Sequence, residues 1–230
     1  RGSLSNLRPV PLGQRRPPGP GEIELRVRAT GLNFRDVLNV MGMYPGDPGN
    51  PGGDCAGTVT AVGSEVTGLS PGDDVFGIAW GCLQTYVTTD ANLMVPKPQQ
   101  WSFEQMAAWS VTFATVEEAF TELAPVRKGE RVLIHAATGG VGLVAVQLAQ
   151  RVGATIYATA GSAAKVEHLQ KLGVKYITSS RDGKTFEEDM KRFVEEDGGG
   201  GIDCVLNSLS HDDFIPRSLA LLKKGGRFME

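Results

Sequence analysis

The sequence predicts an α/β protein made of a β-rich N-terminal half and a doubly wound parallel sheet. Three observations carry that prediction. Short β-type runs separated by Pro-Gly turns fill the first hundred residues. Compact apolar strands then alternate with helical stretches, and a glycine-rich turn, His135-Ala-Ala-Thr-Gly-Gly-Val-Gly142, joins the first of those strands to its helix. The change of texture puts the expected domains at residues 1–103 and 104–230.

In the first half the strand-like runs are Glu22–Ala29, Gly57–Gly63, Asp74–Ala79 and Gln84–Thr89, with Pro-Gly at 45–46, 51–52 and 71–72. This spacing suggests a small, irregular β-barrel or sandwich. Asn33 to Met43 is the exception, a helix with Val37, Leu38 and Met41 on one side. Ser102 with Gln105 forms a capping-box pattern before a helix expected to run toward Leu123. Next come a strand from Arg131 to Ala136, a helix from Val141 to Val152 closed by Gly153, and a strand from Ala154 to Ala160. The alternation continues with a helix at Lys165–Leu172, a strand at Tyr176–Thr178 and a helix at Thr185–Glu196. A strand at Ile202–Asn207, a helix at His211–Leu222 and a strand opening at Gly226 complete it. The sequence stops inside that last strand and opens on Arg1-Gly-Ser-Leu, so a fragment of a longer polypeptide, truncated at its C-terminus, is expected.

Composition narrows the class. The chain has 230 residues, 41% apolar and 21% charged, which supports a real core and excludes a disordered chain or a disulfide miniprotein. The net charge of −3, without a basic run, leaves no electrostatic footprint for nucleic acid. No apolar stretch reaches the roughly 18–20 residues of a membrane span, and prolines follow the basic N-terminus where a signal peptide has an apolar core, so a cytoplasmic protein is expected. The three cysteines, 55, 82 and 204, are odd in number and widely spaced, so they read as thiols and not as disulfides or a structural zinc lobe. The histidines 135, 168 and 211 are isolated, and structural roles are expected for them.

The glycine-rich turn is the strongest chemical signal. A dinucleotide pyrophosphate needs backbone N–H groups at a helix N-terminus, and Gly139, Gly140 and Gly142, with Thr138 and Val141 between them and beside them, leave that approach clear. Ala137 stands where the first glycine of G-x-G-x-x-G belongs. An acidic residue at the end of the second strand would accept a ribose 2′-hydroxyl and repel a 2′-phosphate. This chain has Ala160-Gly-Ser162 there, then Lys165, with Ser180-Arg181 after the next strand. Neutral and cationic groups at these places favour NADPH; solvated helix-face charges are the competing explanation for Lys165 and Arg181.

Gly31-Leu-Asn-Phe-Arg-Asp-Val37, Met43-Tyr-Pro-Gly, Gly57-Thr-Val-Thr-Ala-Val-Gly63, Ala136-Ala-Thr-Gly-Gly-Val-Gly142 and Val205-Leu-Asn-Ser-Leu209 together resemble the enoyl reductase domain of polyketide synthases and animal-type fatty acid synthases. Those domains are zinc-free members of the medium-chain dehydrogenase/reductase superfamily. The resemblance implies an incomplete GroES-like substrate domain over 1–103 and an incomplete NADPH-binding Rossmann domain over 104–230, with the chain returning to the first domain after residue 230. It implies NADPH-dependent reduction of the α,β double bond of an enoyl thioester on an acyl carrier protein, beside neighbouring synthase domains, with a homodimer as a candidate assembly. Zinc-dependent relatives need a cysteine near Asn33, a histidine where Gly53 stands and a four-cysteine lobe, so no metal is expected.

Reduction requires hydride at the β-carbon, stabilisation of the enolate oxygen and a proton at the α-carbon. By resemblance Tyr44 is a proton donor, and Lys165 with Asp182 forms a second candidate donor pair, lysine giving the proton and the carboxylate holding it. Arg181 is assigned to the adenosine phosphate on charge. Asn33, Thr115 and Asn207 are expected on the nicotinamide half, since amides and hydroxyls fix a carboxamide without competing charge. Asn207 also follows from the rule that ligands sit at strand C-termini. Glu117 and Glu118 stand where relatives often carry aromatics. Two other readings compete: a free-standing quinone oxidoreductase-like enzyme, and a non-catalytic dinucleotide-binding scaffold.

Overall fold

The computed structural model describes residues 2–11 and 13–230 and divides into two compact units, Arg1–Val111 and Thr112–Glu230. In the first unit, strands β1 (Glu22–Thr30), β2 (Asp54–Val62), β3 (Asp74–Ile78), β4 (Tyr86–Asp90) and β5 (Met94–Pro96) form one antiparallel sheet in the order β4-β1-β2-β3-β5. The expected barrel or sandwich is thus a single five-stranded sheet among the described residues. Alternation puts Ile23 and Leu25 of β1 with Val59, Val75, Val87 and Met94 in one core.

Helix α1 (Phe34–Met41) forms where the sequence places it, but its burial is reversed. Val37 is 50% exposed and Met41 36%, whereas Asp36 and Asn39 are buried. The cause is a loop with unpaired backbone groups. The Asp36 carboxylate accepts the Gly52 N–H at 2.7 Å and the Asn33 N–H at 2.9 Å, and Asn39 Nδ2 donates to the Gly49 carbonyl at 3.1 Å. Satisfying those groups outweighs burying three apolar side chains. Gly42, in the left-handed region at φ 70°, ends the helix.

The helix expected from Ser102 toward Leu123 is broken. Its capping box is present, with Ser102 Oγ accepting the Gln105 N–H and Gln105 Oε1 accepting the Ser102 N–H. However, α2 (Phe103–Ala107) stops, α3 (Ser110–Glu117) restarts, and a π-helical turn, Glu118–Leu123, follows. The two units divide inside this stretch.

The second unit contains β6 (Arg131–Ile134), α4 (Gly140–Val152), β7 (Thr155–Ala160), α5 (Ala163–Lys171) and β8 (Tyr176–Ser179). It continues with α6 (Gly183–Glu196), β9 (Ile202–Leu206), α7 (Phe214–Leu221) and β10 (Leu222–Met229). Its sheet is parallel throughout, in the order β10-β9-β6-β7-β8. Val132 and Ile134 of β6 join Ala145, Val146 and Ala149 of α4 and Leu169 of α5 on one face. Leu133 joins Phe186 and Met190 of α6 and Phe214 of α7 on the other. Both faces are covered, as a doubly wound sheet requires. The chain runs outward from β6 through β8 and returns on the other side through β9, so the order reverses between β6 and β9. That is the switch point where such sheets bind ligands. Helix α7 starts three residues later than the sequence suggests, after Asp212 at φ 53°.

Candidate functional site

The glycine-rich turn leaves β6 at that switch point. Its left-handed residue is Ala136, at φ 47°, and not Ala137, the position where the dinucleotide fingerprint has its first glycine. The Ala136 N–H donates to Thr159 Oγ1 at 2.9 Å, the Ala137 N–H to the Thr159 carbonyl at 3.0 Å, and the Ala136 carbonyl accepts the Gly139 N–H at 2.8 Å. Gly139 is the N-cap of α4 and offers no capping side chain, so the first-turn amides, which have no intrahelical acceptor, stay open. A Cβ on Gly142 would lie 2.5 Å from the Ala136 carbonyl oxygen, and one on Gly140 3.0 Å from Thr112 Cγ2. Gly139 and Gly140 are exposed, while Val141 and Thr138 are half-buried. Bare amides at the positive end of a 13-residue helix fit a pyrophosphate.

At the end of the neighbouring β9, Asn207 is 6% exposed. Its Oδ1 accepts the Leu209 N–H at 3.2 Å, but its Nδ2 has no partner among the described residues. A buried amide with unused donors is costly, about 1–3 kcal/mol, and fits an acceptor supplied by a ligand.

Beyond β7, Gly161 and Ser162 lead into α5, and Ser162 caps without a side-chain bond. A Cβ on Gly161 would meet Arg181 Nε at 2.9 Å and Ser180 Oγ at 3.0 Å, so the guanidinium lies against this strand end. No carboxylate pairs with Arg181 among the described residues. Lys165 is exposed one turn into α5. The expected Lys165–Asp182 donor pair is not formed. Asp182 instead caps α6, accepting the Thr185 N–H at 2.6 Å, and hydrogen bonds from Thr185 hold its carboxyl below the usual range. Thr115, Glu117 and Glu118 are exposed along α3 and its π-helical continuation.

In the first unit, Asn33 precedes α1 and donates from Nδ2 to Asp54 Oδ1 at 2.9 Å. Asp54, 1% exposed, also accepts the Val111 N–H at 3.0 Å, and burial pushes its carboxyl up. A Cβ on Gly31 would lie 2.3 Å from Asp54 Oδ1, which explains the glycine. Tyr44 is half-buried; the Arg35 guanidinium sits 5.1 Å from its ring and 4.8 Å from that of Trp80, and donates to the Pro48 carbonyl at 3.0 Å. Sequence reasoning missed Asp54 and Arg35; the Gly52-Gly53 pair just before Asp54 was the available signal for the first.

His135 is structural. It is 1% exposed, with Nε2 2.8 Å from Ser218 Oγ and Nδ1 3.3 Å from Thr159 Oγ1, and burial pushes its pKa down to about 4.

Residues 19–99 match the family described as alcohol dehydrogenase GroES-like domain, and residues 140–230 the family described as zinc-binding dehydrogenase. The donor set does not fit zinc. Near and at the places where the resemblance puts zinc ligands, Asn33 is an amide bonded to Asp54 and Gly53 has no side chain, and no three metal-binding side chains gather among the described residues. No helix among the described residues is long and apolar enough to cross a membrane. The chain is 50% identical over 216 residues to the spectinabilin polyketide synthase system protein NorB of Streptomyces orinoci, covering 93% of this chain and 10% of that protein. It is 46% identical to the pikromycin polyketide synthase component PikAII of Streptomyces venezuelae, covering 100% of this chain and 6% of that protein. The chain therefore spans a tenth or less of these two multidomain relatives. Among solved structures it matches CurK enoyl reductase with a TM-score of 0.91 and 42% identity, covering 99% of this chain and 70% of that one. The Escherichia coli quinone oxidoreductase complexed with NADPH matches with a TM-score of 0.81 and 31% identity, covering 94% and 66%. With the carboxylate-free strand end, the open amide turn and the likeness to CurK along nearly its whole length, the chain belongs to the enoyl reductase family of the medium-chain dehydrogenase/reductase superfamily.

Proposed function

We propose that this chain reduces the α,β double bond of an enoyl thioester, carried on an acyl carrier protein within a polyketide synthase, using NADPH. The observation that carries this reading is the likeness to CurK enoyl reductase, at 42% identity over 99% of the chain. The turn at 139–142 is assigned to the pyrophosphate, Asn207 to a polar group of the nicotinamide half, and Arg181 with Ser162 to the 2′-phosphate. Bound NADPH supplies hydride to the β-carbon.

The chain's own residues bind, orient and protonate. Asn33, its side chain held by the bond from Nδ2 to Asp54, and Thr115 are assigned to the nicotinamide half. Tyr44, its ring held beside Arg35, is the proposed donor of the α-carbon proton. Lys165 is the second proposed donor, acting without Asp182, whose carboxylate is engaged in capping α6.

The intact protein, incubated with NADPH and either crotonyl-pantetheine or a quinone, tests the assignment. NADPH oxidation with formation of butyryl-pantetheine is expected. Turnover of the quinone alone would replace this reading with that of a quinone oxidoreductase, and NADPH binding without either reaction would make the chain a scaffold.

A further inference from the structure

We infer that Thr159 and His135 are positioning residues for the dinucleotide turn, fixing its left-handed residue by a buried relay of hydroxyl and imidazole groups that begins on α7. The inference rests on the assignment of residues 139–142 to the pyrophosphate.

Ala136 and Asp212 are the non-glycine residues at positive φ among those described. Asp212 is exposed, whereas Ala136 lies at the base of the turn, in a region that L side chains with a Cβ avoid. Something must hold it there. On one side Thr159, 0% exposed on β7, accepts the Ala136 N–H with its hydroxyl and the Ala137 N–H with its carbonyl. On the other side the Ala136 carbonyl accepts the Gly139 N–H and fills the space where a Gly142 Cβ would be. The position of Ala136 therefore sets where α4 begins and where its open amides point.

The Thr159 hydroxyl is itself held. His135 Nδ1 lies 3.3 Å from it, and His135 Nε2 lies 2.8 Å from Ser218 Oγ, which is fully buried on α7. The imidazole packs against Phe186 at 5.4 Å and Phe214 at 5.9 Å between ring centroids, and among the described residues no charged side chain is hydrogen-bonded to it. A neutral imidazole donates from one nitrogen and accepts at the other, so the two hydroxyls are held in complementary senses and the relay runs unbroken from Ser218 to Ala136. Sequence spacing alone hides this chain, because Ser218, His135 and Thr159 come from three separate elements.

The test uses NADPH binding by fluorescence titration on the intact protein with Thr159→Val, Thr159→Ser and Ser218→Ala. Valine keeps the shape of threonine and loses the hydroxyl; serine keeps the hydroxyl and loses the methyl. The expected result is a roughly 10-fold weaker NADPH affinity for Thr159→Val, near wild-type affinity for Thr159→Ser, and a roughly 3-fold loss for Ser218→Ala, with kcat at saturating NADPH within about 2-fold of wild type. A residue that merely packs would give the reverse order, Ser weaker than Val, and that order overturns the inference. If Thr159→Val fails to fold, unchanged NADPH affinity in Ser218→Ala overturns it equally. Absence of NADPH binding by the wild-type protein would overturn the pyrophosphate assignment instead, and so separates the two.

Discussion

The turn after β6 and the segment around α1 solve the same problem with opposite chemistry. Each holds polar backbone in a buried corner and leaves other groups exposed. After β6 the support is neutral, an imidazole and two hydroxyls, and what stays exposed is bare backbone N–H. Around α1 the support is anionic, with Asp36 and Asp54 buried against N–H groups of Asn33, Gly52 and Val111, and what stays exposed is side chain: Leu32, Phe34, Val37 and Met43. The difference matches the proposed role of the turn. A carboxylate beside the open amides would repel a pyrophosphate, whereas the buried carboxylates around α1 are already bonded to N–H groups.

The largest effect expected from breaking this contrast is at Asp54. Asp54→Ala strands Asn33 Nδ2 and the Val111 N–H in a buried site, and at ~1–3 kcal/mol for each unmade bond the loss should be about 3 kcal/mol once the relief of a buried carboxylate is counted. Urea unfolding at neutral pH measures it. A loss below ~1 kcal/mol would show that the anionic support is dispensable and the contrast superficial.

The two regions should also differ in their response to acid. His135 has its folded pKa pushed down to about 4 from the ordinary 6.5, so the unfolded chain binds more protons between those values and stability falls as pH drops through that window. The span corresponds to about 3 kcal/mol, present in full above pH 6.5 and absent below pH 4. Asp54 has the opposite sign: its raised pKa makes protonation favour the folded state. The measurement is the difference in unfolding free energy between pH 7 and pH 4.5 for wild type and His135→Asn. The variant should lose less on acidification, and an identical loss would mean that His135 is not held neutral by the fold.

The contrast also governs how much could be read in advance. The strand and helix order of the second unit was legible because apolar residues recur at periods set by the local backbone, and the glycine turn because its spacing is local. The capping box at Ser102 and Gln105 was legible for the same reason. The reversed polarity of α1 was not, since the partners of Asp36 and Asn39 are backbone groups at 49–52, in a loop that sequence alone does not place. Neither was the break at 108–109, which no glycine or proline marks. Among the residues proposed for the site, Gly139, Gly140 and Gly142 come from motif, Asn207 from topology and Arg181 from charge. Asp182 was expected beside Lys165, but the competing pull of an unsatisfied helix N-terminus at Thr185 engages it first.

The second unit is proposed as a dinucleotide site selective for a 2′-phosphate, and comparing dissociation constants for NADPH and NADH on the wild-type protein and on Arg181→Ala tests this most directly. A charge-assisted guanidinium–phosphate contact predicts NADPH tighter than NADH by roughly 10- to 100-fold, with most of that preference lost in the variant and NADH affinity unchanged. Wild-type binding of NADH as tight as that of NADPH would contradict it.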